Sequence, residues 1–97
     1  MAKRKIVWTI SANEERKEIL EYWIQRNKSA RFSKKLNQLI LHVLEVIREN
    51  PTIGRLTNIK NVRVILIRDY LLMYEFSESE LIVLTIWDSR RNKKNSH

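Results

Sequence analysis

The stretch Asn61-Val-Arg-Val-Ile-Leu-Ile-Arg-Asp-Tyr70-Leu-Leu-Met-Tyr-Glu-Phe-Ser-Glu-Ser-Glu80-Leu-Ile-Val-Leu-Thr-Ile-Trp-Asp-Ser-Arg90-Arg-Asn92 decides the fold of this chain. Its large apolar side chains alternate with a period of two, the signature of strands rather than helices. Val62, Val64 and Leu66 point one way, and Arg63, Ile65 and Ile67 the other. Arg68-Asp69 predicts a tight reversal, although it lacks the Asn-Gly or Asp-Gly pair that hairpin turns favour. Tyr70, Leu72, Tyr74 and Phe76 share a face of the next strand, with Leu71, Met73 and Glu75 opposite. Ser77-Glu78-Ser79-Glu80 reads as a polar hairpin loop. Leu81 to Trp87 then completes a sheet, with Ile82, Leu84 and Ile86 alternating against Leu81, Val83, Thr85 and Trp87.

Upstream of this stretch the pattern is a strand followed by a helix hairpin. Lys5 to Ile10 alternates, with Ile6, Trp8 and Ile10 on one face. Ser11-Ala12-Asn13-Glu14 has the spacing of a capping box, in which the Ser hydroxyl and Glu carboxylate satisfy free N–H groups at a helix start. Glu14 and Glu15 suit the positive end of the helix dipole. Ala12, Arg16, Ile19, Leu20, Trp23 and Asn27 recur at helical intervals, and Asn27-Lys28 breaks the pattern. Ser29 is positioned to cap a second helix whose apolar face is Phe32, Leu36, Leu39, Ile40, Val43 and Ile47. The short connection makes the two helices an antiparallel hairpin. Asn50-Pro51 ends the second, because proline lacks an N–H and restricts the residue before it. Gly54 follows in the turn. The predicted fold is therefore α+β, in the order β-α-α-β-β-β. An N-terminal helix hairpin packs on one face of a small, mainly antiparallel four-stranded sheet.

A chain of 97 residues that is 43% hydrophobic supports one domain, 1–97, with a single modest core. Residues 88–97 are expected to form a basic, partly flexible C-terminal tail. One Gly and one Pro argue against linkers. With 19 Lys and Arg against 11 Asp and Glu the net charge is +8, which favours polyanionic or acidic partners. The absence of Cys excludes disulfides and thiolate metal sites, and His42 and His97 alone do not make a metal site, so no metal or cofactor is expected. Lys3-Arg4-Lys5 precedes too short an apolar run for a signal peptide, and no segment approaches a membrane span. The expected location is cytoplasmic.

The helix hairpin can cover only one face of the sheet, yet both faces of the last three strands are apolar. The uncovered face is expected to meet a partner, or a second copy of the chain in a homodimer of the free protein. Arg63 lies among apolar residues, where a cross-strand ion pair to Glu75 competes with a functional role. Core packing is the favoured role of Tyr70 and Tyr74, and also of Trp8 and Trp23. Arg90, Arg91, Lys93 and Lys94 follow the last strand directly.

The element order, the Asn50-Pro51…Gly54-Arg55 turn, Val62-Arg63-Val64, Asp69-Tyr70-Leu71-Leu72-Met73-Tyr74 and Ile86-Trp87-Asp88-Ser89-Arg90-Arg91-Asn92 together resemble the RelE/ParE superfamily of type II toxins. The resemblance covers essentially the whole chain. It implies a bacterial toxin of the plasmid stabilisation type, neutralised by a cognate antitoxin whose C-terminal segment wraps around it. The antitoxin would dock on Ile65, Ile67, Leu71, Met73, Val83 and Trp87. Target or phosphate contacts would fall to Lys60, Arg63, Arg68, Arg90, Arg91, Lys93 and Lys94. The superfamily's ribosome-dependent ribonucleases typically place an Arg after the first Tyr of a Tyr-x-x-x-Tyr strand and a Tyr or His near the C-terminus. Here Leu71 follows Tyr70, and the tail has no Tyr. The terminal His97 is poorly placed for catalysis. These departures point toward a non-enzymatic, ParE-like toxin whose target is DNA gyrase. The alternative is a ribosome-dependent, metal-independent mRNA endoribonuclease with Arg63, Arg90 and Arg91 as candidate catalytic cations. A basic nucleic-acid-binding module is the further alternative.

Overall fold

The computed structural model describes residues 3–90. In chain order the elements are β1 (Lys5–Trp8), α1 (Ile10–Asn27), α2 (Arg31–Glu49), a 3-10 turn (Pro51–Ile53), β2 (Arg55–Leu56), β3 (Arg63–Ile67), β4 (Tyr70–Phe76) and β5 (Glu80–Asp88). They form one five-stranded sheet in the order β1-β5-β4-β3-β2. β1 runs parallel to β5, and every other pairing is antiparallel. The α+β class and the helix hairpin are as the sequence implies. The sheet has one strand more than the four expected, because Arg55–Leu56 is too short to show a period.

The helix boundaries follow from side chains that reach into the backbone. Thr9, not Ser11, caps α1: its hydroxyl accepts from Ala12 N at 3.1 Å. The same hydroxyl donates to Leu84 O at 3.1 Å, while Thr9 N donates to Val83 O at 3.1 Å. The strand therefore ends at Trp8, and Ile10, expected on its buried face, begins the helix with a side chain 84% exposed. α1 ends where Lys28 turns left-handed at φ 53°. Ala30 is the N-cap of α2, and Ser29 Oγ instead accepts from Arg31 N at 3.2 Å. On α2 the buried residues are Ser33, Leu36, Ile40, Leu44 and Ile47; Phe32, Leu39 and Val43 flank them. Ser33 is buried because its Oγ donates to Leu20 O at 2.9 Å where the helices approach closely.

Strand register fixes which residues meet the helices. Ile67 pairs directly with Tyr70 and Ile65 with Leu72, so these four share the inner face. Met73 pairs with Thr85 but Tyr74 with Val83, leaving Leu84 as an extra residue in β5. This β-bulge reverses the alternation of β5. Ile86 faces inward on one side of the bulge and Val83 and Leu81 face inward on the other, in place of a continuous Ile82-Leu84-Ile86 face. The core thus joins Leu36, Ile40, Leu44 and Ile47 of α2 to Ile67, Tyr70, Leu72, Tyr74, Leu81, Val83 and Ile86 of the sheet.

β5 outruns its parallel neighbour, whose pairing stops at Val83. Glu15 of α1 takes over there: its Oε1 accepts from Thr85 Oγ1 at 2.8 Å and from Ile86 N at 3.1 Å. A carboxylate expected to serve the helix dipole instead completes a sheet edge. Glu15→Ala should lower unfolding free energy by about 1–3 kcal/mol in urea titrations, the usual cost of orphaning a buried donor. Glu15→Gln, which keeps a carbonyl acceptor, should lose less.

Candidate functional site

The sheet presents three kinds of functional candidate: its uncovered face, the turn beside Arg63, and the basic end around Arg90. On the uncovered face the register sets Val64 opposite Met73, Leu66 opposite Leu71, and Trp87 opposite Leu71 on the other side. Val7 and Ile82, paired in register, extend the same face. Leu66 is 60% exposed there. Of the residues expected to meet an antitoxin, Leu71, Met73 and Trp87 belong to this surface. Ile65, Ile67 and Val83 do not: Ile67 and Val83 are 2% and 0% exposed in the core, and Ile65 packs against it. The physical reasons are the direct Ile67–Tyr70 pairing across the Arg68-Asp69 turn and the bulge at Leu84. Val64, Leu66 and Ile82 lie on the uncovered face instead.

Arg63 faces inward opposite Tyr74, so a cross-strand ion pair with Glu75, which points to the other face, does not form. Its Nη1 donates instead to Gly54 O at 2.7 Å and Thr52 O at 3.2 Å. The buried Tyr74 hydroxyl donates to Pro51 O at 2.7 Å and accepts from Gly54 N at 2.9 Å. A Cβ on Gly54 would run into the Tyr74 hydroxyl and come within 2.8 Å of its Cε1. Burial pushes the Tyr74 phenol above its ordinary pKa of 10.0, against the opposing effects of the Gly54 N–H and the Arg63 charge. Tyr70 is raised as well, again chiefly by burial, and its hydroxyl accepts from Trp23 Nε1 at 2.7 Å. Both phenols are neutral parts of the core.

At the far end of β5, Arg90 is held by acids. Its Nε and Nη2 donate to Asp88 Oδ1 and Oδ2 at 3.1 and 3.0 Å, and Asp69 lies 3.8 Å from Nη1. Arg68 adopts a left-handed φ of 56° in the β3–β4 turn, and its guanidinium lies 5.5 Å over the Phe32 ring. Lys60 is exposed in the loop before β3. Arg63, Lys60, Arg68 and Arg90 thus do not converge on one phosphate position. Arg91, Lys93 and Lys94, and His97 with them, lie outside the described residues. Among those described, no group of three His, Asp or Glu side chains comes together as a metal site. No described helix is long and apolar enough to cross a membrane.

A family model described as the ParE toxin of the type II toxin-antitoxin system parDE matches residues 6–93. The fold is similar to that in a structure of the chromosomal ParDE TA system from P. aeruginosa, with a TM-score of 0.74 and 17% identity over 89% of this chain and 96% of that one. It is also similar to the YoeB dimer from Staphylococcus aureus, with a TM-score of 0.62 and 18% identity over 87% and 94% of the two chains. No curated protein sequence matches the chain.

The Tyr74 hydroxyl should be worth about 1–3 kcal/mol, because Tyr74→Phe leaves the Pro51 carbonyl and the Gly54 amide unpaired. Its raised pKa fixes the sign of the pH dependence. The contribution is complete below the unfolded value near 10.0 and is lost as pH climbs through the higher folded value. Melting temperature followed from pH 8 to 11.5 should fall more steeply for the wild type than for Tyr74→Phe; parallel curves would contradict the assignment.

Proposed function

The chain belongs to the ParE toxin family of type II toxin-antitoxin systems, and on that premise we propose that it stops growth by gripping a protein target, DNA gyrase, rather than by cutting RNA. One observation supports this most: among the described residues, the tyrosines and arginines that a ribonuclease reading would enlist, Tyr70, Tyr74, Arg63 and Arg90, are all bonded within the fold. General acid–base catalysis needs a group within hydrogen-bond reach of substrate and with a pKa near the working pH. The Tyr70 and Tyr74 phenols are buried, bonded internally and raised away from neutrality. Arg63 serves the Thr52 and Gly54 carbonyls, and Arg90 is chelated by Asp88. Binding a partner requires none of these groups to be released.

The same reading gives the uncovered sheet face to the antitoxin. Leu66, Leu71, Met73 and Trp87 form an apolar strip that the chain's own helices do not reach, since α1 and α2 both pack on the opposite face. Covering it would bury apolar area at roughly 25 cal/mol per Å². An antitoxin with an acidic segment would also gain from the +8 charge of the toxin during encounter.

In a supercoiling assay the purified protein should inhibit gyrase and accumulate cleaved DNA, while ribosome-bound mRNA stays intact after its induction. Active supercoiling together with codon-positioned mRNA cuts would replace this reading with the ribonuclease one. Separately, Leu66→Asp should weaken antitoxin binding at least tenfold, about 1.4 kcal/mol, in calorimetric titrations without changing gyrase inhibition.

A further inference from the structure

The positive charge of the chain is concentrated. Between Glu21 and Glu45 there is no carboxylate, and this span holds Arg26, Lys28, Arg31, Lys34 and Lys35, five cations of a net +8. The fold places all five at the tip of the α1–α2 hairpin, every one exposed, and brings the exposed Arg68 beside them from the β3–β4 turn. Asp69, the carboxylate next to Arg68, is already engaged by Arg90.

Two of these cations are held in place. The Arg26 guanidinium sits 5.6 Å over the Trp23 ring and that of Arg68 5.5 Å over the Phe32 ring. Trp23 and Phe32 are themselves packed edge to face at 4.8 Å, and Trp23 is anchored by its bond to Tyr70. A guanidinium laid on an aromatic ring keeps its N–H edge turned outward with less side-chain entropy to lose on binding. Between the helices, Asn27, Ser29, Arg31, Phe32 and Lys35 line a depression of about 290 Å³, two of whose walls are cationic. Arg31, Lys34 and Lys35 are also neighbours at i,i+3 and i,i+4, where like charges repel and weaken a helix. A row of anions would relieve that repulsion.

We propose that this hairpin tip binds the phosphate backbone of duplex DNA. An exposed, cation-studded tip with no carboxylate of its own suits the closely spaced phosphates of a polyanion. A peptide partner would be expected to bury apolar side chains alongside its acids, and the most exposed aliphatic residues, Ile10, Leu56 and Leu66, lie outside the 26–35 segment. The choice of duplex DNA over other nucleic acids rests on the gyrase reading, because that target carries duplex DNA.

The test is fluorescence anisotropy of the purified full chain with a labelled 20-base-pair duplex between 50 and 200 mM salt. The triple variant Arg31→Gln, Lys34→Gln, Lys35→Gln should lose at least tenfold in affinity at 50 mM salt. Its slope of log K against log salt should shrink by about 3, one released counterion per lost phosphate contact. A control triple, Lys3→Gln, Lys17→Gln, Arg55→Gln, removes equal charge elsewhere and should lose less than threefold. Both variants should melt no lower than the wild type, since the substituted side chains are exposed. No duplex binding by the wild type, equal losses for the two triples, or equal or tighter binding of polyglutamate or single-stranded RNA would each overturn the proposal. Failure to inhibit gyrase while tip-dependent duplex binding persists would sink the gyrase reading and leave the tip assignment standing.

Discussion

The buried hydroxyl of Tyr74 is the contact on which the two layers of this molecule depend. It lies on β4, in the middle of the sheet, and bonds both to the carbonyl of Pro51 and to the amide of Gly54, in the segment by which the chain leaves α2. The helix layer passes into the sheet layer there, and the phenol fixes the height and angle of the crossing. Proline at the start of the turn removes a donor that the helix could not use, and glycine leaves the space that the phenol ring fills. Arg63, next to Tyr74 in register, collects the carbonyls of Thr52 and Gly54 that the hydroxyl does not reach. Short as it is, β2 can then pair with β3 because its first residue follows Gly54 directly. A tyrosine strand, a proline-glycine turn and an inward arginine, distant in sequence, form one unit.

The other crossing between the layers, from β1 into α1, is built from side chains that do the work of a missing strand. Thr9 bonds to the backbone of β5 at Leu84 just as it caps the helix, and Glu15 continues along the same edge to Ile86. The bulge falls at Leu84, on the first of these contacts. The extra residue bends β5 and increases its twist, which lets a strand that starts beside β1 finish against a helix.

These two junctions explain which parts of the molecule could be read in its sequence. Element order, helix faces and the Arg68-Asp69 reversal were legible because each is a local pattern: a period, a breaker, a two-residue turn. The phase of β5 was not. Its alternation Ile82-Leu84-Ile86 is unbroken on paper, and one bulged residue moves Val83 to the core in place of Leu84. Ser11 and Glu14 have capping-box spacing, yet Thr9 wins the cap because it also has a partner on a strand more than seventy residues away. The same limit applied to the candidate sites. Arg63 among apolar residues looked available for a phosphate, and only the three-dimensional turn shows carbonyls waiting for it. Sequence did reveal the surplus of apolar surface on the last three strands, since counting faces needs no long-range information, but it assigned Ile65, Ile67 and Val83 to the wrong side.

The arginines show why net charge is a poor guide to function until each cation is placed. Arg4 reaches the carbonyls of Ser77 and Arg48, joining a loop to the end of α2. Arg16 lies 4.5 Å over Trp8 while bonding Asn13 and Asn37, and Arg63 and Arg90 are committed as described. Those four are structural adhesive, and their positive charge is largely spoken for by carbonyls, rings and carboxylates. The cations of the α1–α2 hairpin stand apart because no acid accompanies them in sequence and all of them are exposed. Removing an inward arginine would disturb the fold and any function together, whereas removing one at the tip would change binding while the fold stays intact. Charge that the fold does not use is the part that is free to recognise something else.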